Sequence, residues 1–192
     1  IEEAKGSADT VVITDADGPA PTLAKVGNDL VITYNGGETI TVKNHFLNDV
    51  DAVNNQKIEF IEYNGTLYPI TGGANPVLSL TTTTNITAIS TDSGTSSSDF
   101  VTNDTSLTVS GTNTALAAGQ KVQVSLDGIN WFDAIQDTTT TWHYVDGVNH
   151  ATDFTYQSRV VDSNGIAGAV DSQLIDIDTA APTARSEERR VG

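Results

Sequence analysis

Short apolar runs with alternating polarity, each closed by a turn rich in Gly, Asn or Asp, recur from residue 10 to residue 177 of this chain. Side chains on a strand point to opposite faces in turn, so a two-residue period marks a half-buried strand. Asn35-Gly36-Gly37 and Asn64-Gly65 are the firmest punctuation, because Asn and Gly accept the positive φ that primed hairpin turns require. The pattern predicts an all-β fold.

Strands are expected at residues 10–14, 22–26, 29–34, 38–43, 57–63 and 66–70, which makes residues 1–70 a small all-β unit. Residues 44–56 are irregular, with room for a short helical turn. Residues 71–84 (TGGANPVLSLTTTT) lose the alternation, and four consecutive β-branched threonines stiffen the chain. This stretch reads as a linker. From residue 85 to 183 the strand signals return, at 85–90, 107–109, 120–126, 131–136, 139–145, 154–161 and 169–177. Seven strands in roughly 100 residues suit an Ig-like β-sandwich. Trp131, Trp142, Phe154 and Tyr156 read as aromatic core or half-buried strand residues. Residues 184–192 carry basic residues and no strand pattern, and are expected to be a disordered tail.

Charge and composition exclude several functions. The 192 residues carry a formal net charge of −16, and every acid between residues 76 and 184 is an aspartate. Such a surface repels nucleic acid and anionic lipid, so neither is an expected partner. No apolar run approaches the roughly 20 residues of a membrane helix, so no membrane insertion is expected. Cys is absent, which removes disulfides and thiolate metal sites and leaves oxygen ligands as the available metal chemistry. Met is absent too, so the sequence reads as an internal piece of a longer protein.

The stretch from Asn85 to Gly111 concentrates short carboxylates and amides, Asp92, Asp99, Asn103 and Asp104, in a loop between two strands. Calcium takes several oxygen ligands in a loose shell, and such a loop could supply them. The same residues also make turns and cap strand ends, and composition leaves the two readings level. Asp15-x-Asp17-Gly18 opens like a calcium loop but lacks the later Gly and closing Glu, so it reads as a turn. No nucleophile elbow, H-E-x-x-H, P-loop or Rossmann glycine pattern occurs. His45, His143 and His150 are scattered without ligand spacing. No enzymatic activity is expected.

Residues 85–183 resemble a bacterial Ig-like repeat of the very large surface adhesins exported by type I secretion. The segments that carry the resemblance are ITAISTDSGTSSSDFVTNDTSLTVSGT, KVQVSLDGINWFDA, FTYQSRVVDSNGIAG and DIDTAAPTA. In that family the repeats stack end to end, and aspartates at the module ends hold calcium that stiffens the rod. The resemblance implies Ca2+ at Asp92, Asp99, Asp104, Asp162, Asn164 and Asp178, and neighbouring Ig-like modules as partners. It also implies a secreted or cell-surface location and a role in adhesion and biofilm. Residues 9–70 resemble the haemolysin-type calcium-binding-related segment that accompanies RTX repeats, through DTVVI, NDLVITYNGGETITVKNHF and KIEFIEYNGTLYPI. No G-G-x-G-x-D repeat is present, so this half is expected to cap or flank a repeat array.

A structural stalk module is therefore the leading expectation. Its rivals are a module gripping host or surface glycans or proteins, and an accessory β-domain of a secreted hydrolase. In a tandem array the Asp92 and Asp162 groups should lie at opposite ends of the sandwich. The 85–104 loop is expected to face the preceding module, and Asp178 the following one.

Overall fold

The computed structural model describes residues 9–14, 18–43, 45, 58–93 and 96–179. The expected helical turn at 44–56 (His45 apart), the turn at Asp15–Asp17 and the tail at 184–192 lie outside the described residues. The protein is all-β, with no helix among the described residues.

The first part builds two small sheets. β2 (Thr22–Val26), β3 (Asp29–Tyr34) and β4 (Glu38–Val42) form an antiparallel meander. The β3–β4 turn carries Asn35 and Gly36 at φ 44° and 76°, the primed geometry that Asn-Gly favours. β1 (Asp9–Ile13), β5 (Ile58–Tyr63), β6 (Thr66–Thr71) and β7 (Val77–Leu78) form the second sheet, in the order β1-β5-β6-β7. β1 runs parallel to β5, a pairing that the run of hairpin signals does not disclose. Leu30, Ile32, Ile61, Tyr63 and Tyr68 are buried between these sheets and their neighbours. Full burial of each large apolar side chain contributes about 1.5–3 kcal/mol. The Tyr63 hydroxyl donates to the Gly18 carbonyl at 2.6 Å, tying β5 to the chain that leads into the meander.

β8 (Thr84–Ile89), β10 (Ser106–Asn113), β14 (Thr141–Asn149) and β13 (Ile135–Gln136) make one sheet of the sandwich. The other runs β12 (Phe132–Asp133), β11 (Lys121–Ser125), β15 (Phe154–Val161), β16 (Asp171–Ile177) and β9 (Val101–Thr102). Two departures from the sequence reading stand out. The strand expected at 131–136 is cut at Ala134, where the chain leaves β11's sheet and joins β14's. The stretch between β8 and β10 also changes sheets: β9 pairs in parallel with β16. Both crossings occur at open sheet edges, where a strand has one side free to change partners.

Leu107, Val109, Val122, Val124, Trp142, Tyr156, Val160 and Ile175 fill the sandwich. With no disulfide, Trp142 supplies the bulk at the centre. Its indole N–H donates to the Thr112 carbonyl at 3.2 Å, and its ring lies so close to Gly111 that a Cβ there would collide with it. Trp131, by contrast, is half-buried, with the Arg159 guanidinium 4.0 Å above its ring.

Candidate functional site

The strand directions assign the loops to two ends. Strand β8 starts beside Asp171, whose Oδ2 accepts the Ile86 amide at 2.7 Å, so the start of β8 shares an end with the β15–β16 turn. Strand β16 runs out beside β9, and the Asp178 amide donates to the Thr102 carbonyl at 2.9 Å. Asp92, Asp99, Asp104 and Asp178 thus gather at the end where β16 leaves. Asp162 and Asn164 lie at the other end, in the β15–β16 turn. The first part of the chain meets that second end, through Tyr68 and Leu80. The expectation that the 85–104 loop faces the preceding unit is therefore reversed. The cause is the direction of β8: it starts at the upstream end and pairs antiparallel with β10, so the loop between them lies at the downstream end.

At the downstream end the aspartates are employed locally. Asp92 Oδ2 accepts the Phe100 amide at 3.0 Å, Asp99 Oδ1 the Val101 amide at 3.3 Å, and Asp104 Oδ1 the Ser106 amide at 2.9 Å. Thr102 Oγ1 donates to the Thr91 carbonyl at 2.6 Å, and the Asn103 amide donates to Ser93 Oγ at 2.8 Å. Thr91 and Phe100 hold φ of 58° and 62°, conformations uncommon for residues with a Cβ. Among the described residues no three His or acidic side chains come close enough to hold a metal ion. One atom stands apart: Asp92 Oδ1 is buried and has no hydrogen-bond partner. Asp153 adds a further carboxylate at this end, where its Oδ1 accepts the Ile177 amide at 2.9 Å.

At the upstream end the polar groups are paired. Asp162 Oδ1 accepts the Asn164 and Ile166 amides, each at 2.9 Å, closing the turn. Its Oδ2 accepts the Tyr68 hydroxyl, which in turn accepts Asn164 Nδ2 at 2.8 Å. Burial, reinforced by the Asp162 hydrogen bond, pushes the Tyr68 phenol above its ordinary range.

A third polar group escaped the sequence reading. Asp146, buried in β14, accepts the Tyr156 hydroxyl at 2.7 Å on Oδ2 and the Val148 amide at 2.9 Å on Oδ1. His150 Nε2 lies 2.9 Å from Oδ2, and its ring stacks on Phe154 with centroids 3.7 Å apart. Burial, then the Asp146 bond, raises the Tyr156 phenol far above its ordinary value. This is an internal brace at the β14–β15 corner, with Tyr156 tying the start of one strand to the end of another. His45 is buried, and its Nδ1 accepts the Ile58 amide at 3.3 Å, while His143 Nδ1 sits 2.8 Å from Asp137 Oδ1.

No protein-family model matches the chain, and no curated protein matches it. Among solved structures, the crystal structure of the sulfane dehydrogenase SoxCD from Paracoccus pantotrophus aligns with 80% of this chain at 18% identity and a TM-score of 0.38. The chain spans 50% of that protein's chain. A likeness this distant carries no argument about activity.

Proposed function

We propose that the chain is a structural stalk and adhesion module of a large secreted or surface-anchored protein, with calcium stiffening the downstream end of its Ig-like sandwich. The observation that carries the reading is Asp92 Oδ1, a buried carboxylate oxygen without a partner, in a loop that also presents Asp99 and Asp104. Buried polar atoms are nearly always satisfied, and a hard cation is one group that satisfies a carboxylate. Asp99 and Asp104 each spend Oδ1 on a backbone amide, and a carboxylate has lone pairs beyond that bond. Asp178 would add an oxygen where the chain leaves the sandwich. A following module would complete the shell. The acidic surface, with net charge −16, favours the same chemistry by drawing divalent cations.

Thermal unfolding tests this reading. Extracellular modules bind calcium at about 10⁻⁴–10⁻³ M. Millimolar calcium is expected to raise Tm by mass action on the folded state, and magnesium to raise it less. Asp99→Ala and Asp104→Ala are expected to reduce the calcium response while the fold persists. Equal responses to the two cations, or variants that respond like the parent, would leave the aspartates as turn formers alone.

A further inference from the structure

Tyr68 lies on β6 in the first part of the chain, yet it is wholly buried, and its hydroxyl ends on a turn of the sandwich. We propose that Tyr68, Asn64, Asp162 and Asn164 form a metal-independent lock that fixes the β1–β7 unit to the upstream end of the sandwich. The resemblance drawn from sequence puts Asp162 and Asn164 in a calcium site, and the structure gives them a different task.

The hydrogen-bond inventory supports this. A carboxylate only accepts, and Asp162 takes three protein donors: two backbone amides on Oδ1 and the phenol on Oδ2. Asn164 uses both ends of its amide across the junction. Nδ2 donates to Tyr68 at 2.8 Å, and Oδ1 accepts Asn64 Nδ2 at 3.1 Å. A cation arriving at Asp162 would compete with three protein donors already on that carboxylate, one of them the buried phenol.

A second set of contacts seats the chain between the two units. The Leu80 amide donates to the Ala167 carbonyl at 3.2 Å, and Leu80 is itself buried. Gly168 lies so near this segment that a Cβ there would stand 2.6 Å from the Thr82 carbonyl oxygen. Thr82 Oγ1 donates to Gln120 Oε1 at 2.9 Å, and the Thr83 amide donates to Thr114 Oγ1 at 3.0 Å. The segment expected to be a linker is therefore held by the β10–β11 loop on one side and the β15–β16 turn on the other. With side chains closing the contact from both units, orientation is fixed without an ion, and the lock stands whether or not the far end binds calcium.

Backbone 15N relaxation of the full chain in EDTA tests it. In the parent protein, amides of residues 58–71 and 84–177 are expected to report one rotational correlation time. Tyr68→Phe keeps the ring and removes the hydroxyl, and is expected to split the two groups into separate times while the sandwich keeps its amide dispersion. Asn164→Ala removes both cross-junction amide bonds from the sandwich side and leaves the first unit's sequence intact. It is expected to split them too, and it decides the matter if Tyr68→Phe disturbs the first unit's own fold. Independent tumbling of the parent in EDTA would overturn the lock, as would single-body tumbling of Asn164→Ala. Because no calcium is present, the result is independent of the stalk reading.

Discussion

At the scale of single residues, Asp127, Asp146 and Asp92 show three distinct uses of aspartate. Asp127 is the pure turn former. It accepts the Asn130 and Ile129 amides at 2.7 and 2.8 Å and the Asn130 side chain at 2.6 Å. Those bonds, led by the Asn130 amide, hold its carboxyl far below the ordinary aspartate value. A depressed carboxylate stabilises the fold above its unfolded pKa of about 4, and that contribution is lost as pH falls through the lower folded value. The turn is thus expected to remain capped at pH 4. Carboxyl 13C titration should place the Asp127 midpoint below that of ordinary aspartates, and a midpoint at the ordinary value would contradict the capping geometry. Asp146 is the internal brace. Replacing it with Ala strands the buried Tyr156 hydroxyl, at about 1–3 kcal/mol for a buried donor left unsatisfied, and frees the Val148 amide. Asp146→Ala is expected to lose about 1–3 kcal/mol in urea unfolding, and a loss under about 0.5 kcal/mol would remove the brace from the account. Asp92 represents the third use, with one oxygen on a backbone amide and one left without a partner.

At the scale of elements, most strands could be read directly from alternation, and the partners of some could not. β2, β3 and β15 fall where the two-residue period places them, because the turns around them hold Gly27, Asn35, Gly36 and Gly165 at positive φ, which few other residue types adopt. What alternation cannot carry is the identity of the neighbouring strand. β9 is two residues long, too short to show a period, yet it ties the loop that holds Asp92, Asp99 and Asp104 to the exit of β16. The break at Ala134 has the same character: residues 131–136 read as one strand while belonging to two sheets. The candidate site was legible as composition and not as geometry. DSNG at Asp162 announces a turn in sequence, but Tyr68 lies 94 residues away, and nothing local records that distance. A buried tyrosine in β6 reads only as an inward-facing residue of its own unit.

At the scale of the whole molecule, the sandwich treats its two ends differently. Upstream, each carboxylate and amide of the junction finds a protein partner, and Tyr68 is sealed beneath them. Downstream, a loop pinned by its own aspartates leaves a buried oxygen unsatisfied and faces away from the first unit. On the proposed reading, the upstream junction is held by side-chain contact and the downstream one by a cation shared with a neighbouring module. The two ends can be separated in one experiment, an amide 1H–15N titration of the full chain with calcium from zero to several millimolar. Shifts are expected at residues 91–93, 99–105 and 178, with residues 162–168 and Tyr68 unmoved. Shifts centred on the Asp162 turn, or none at the downstream loop, would contradict the account.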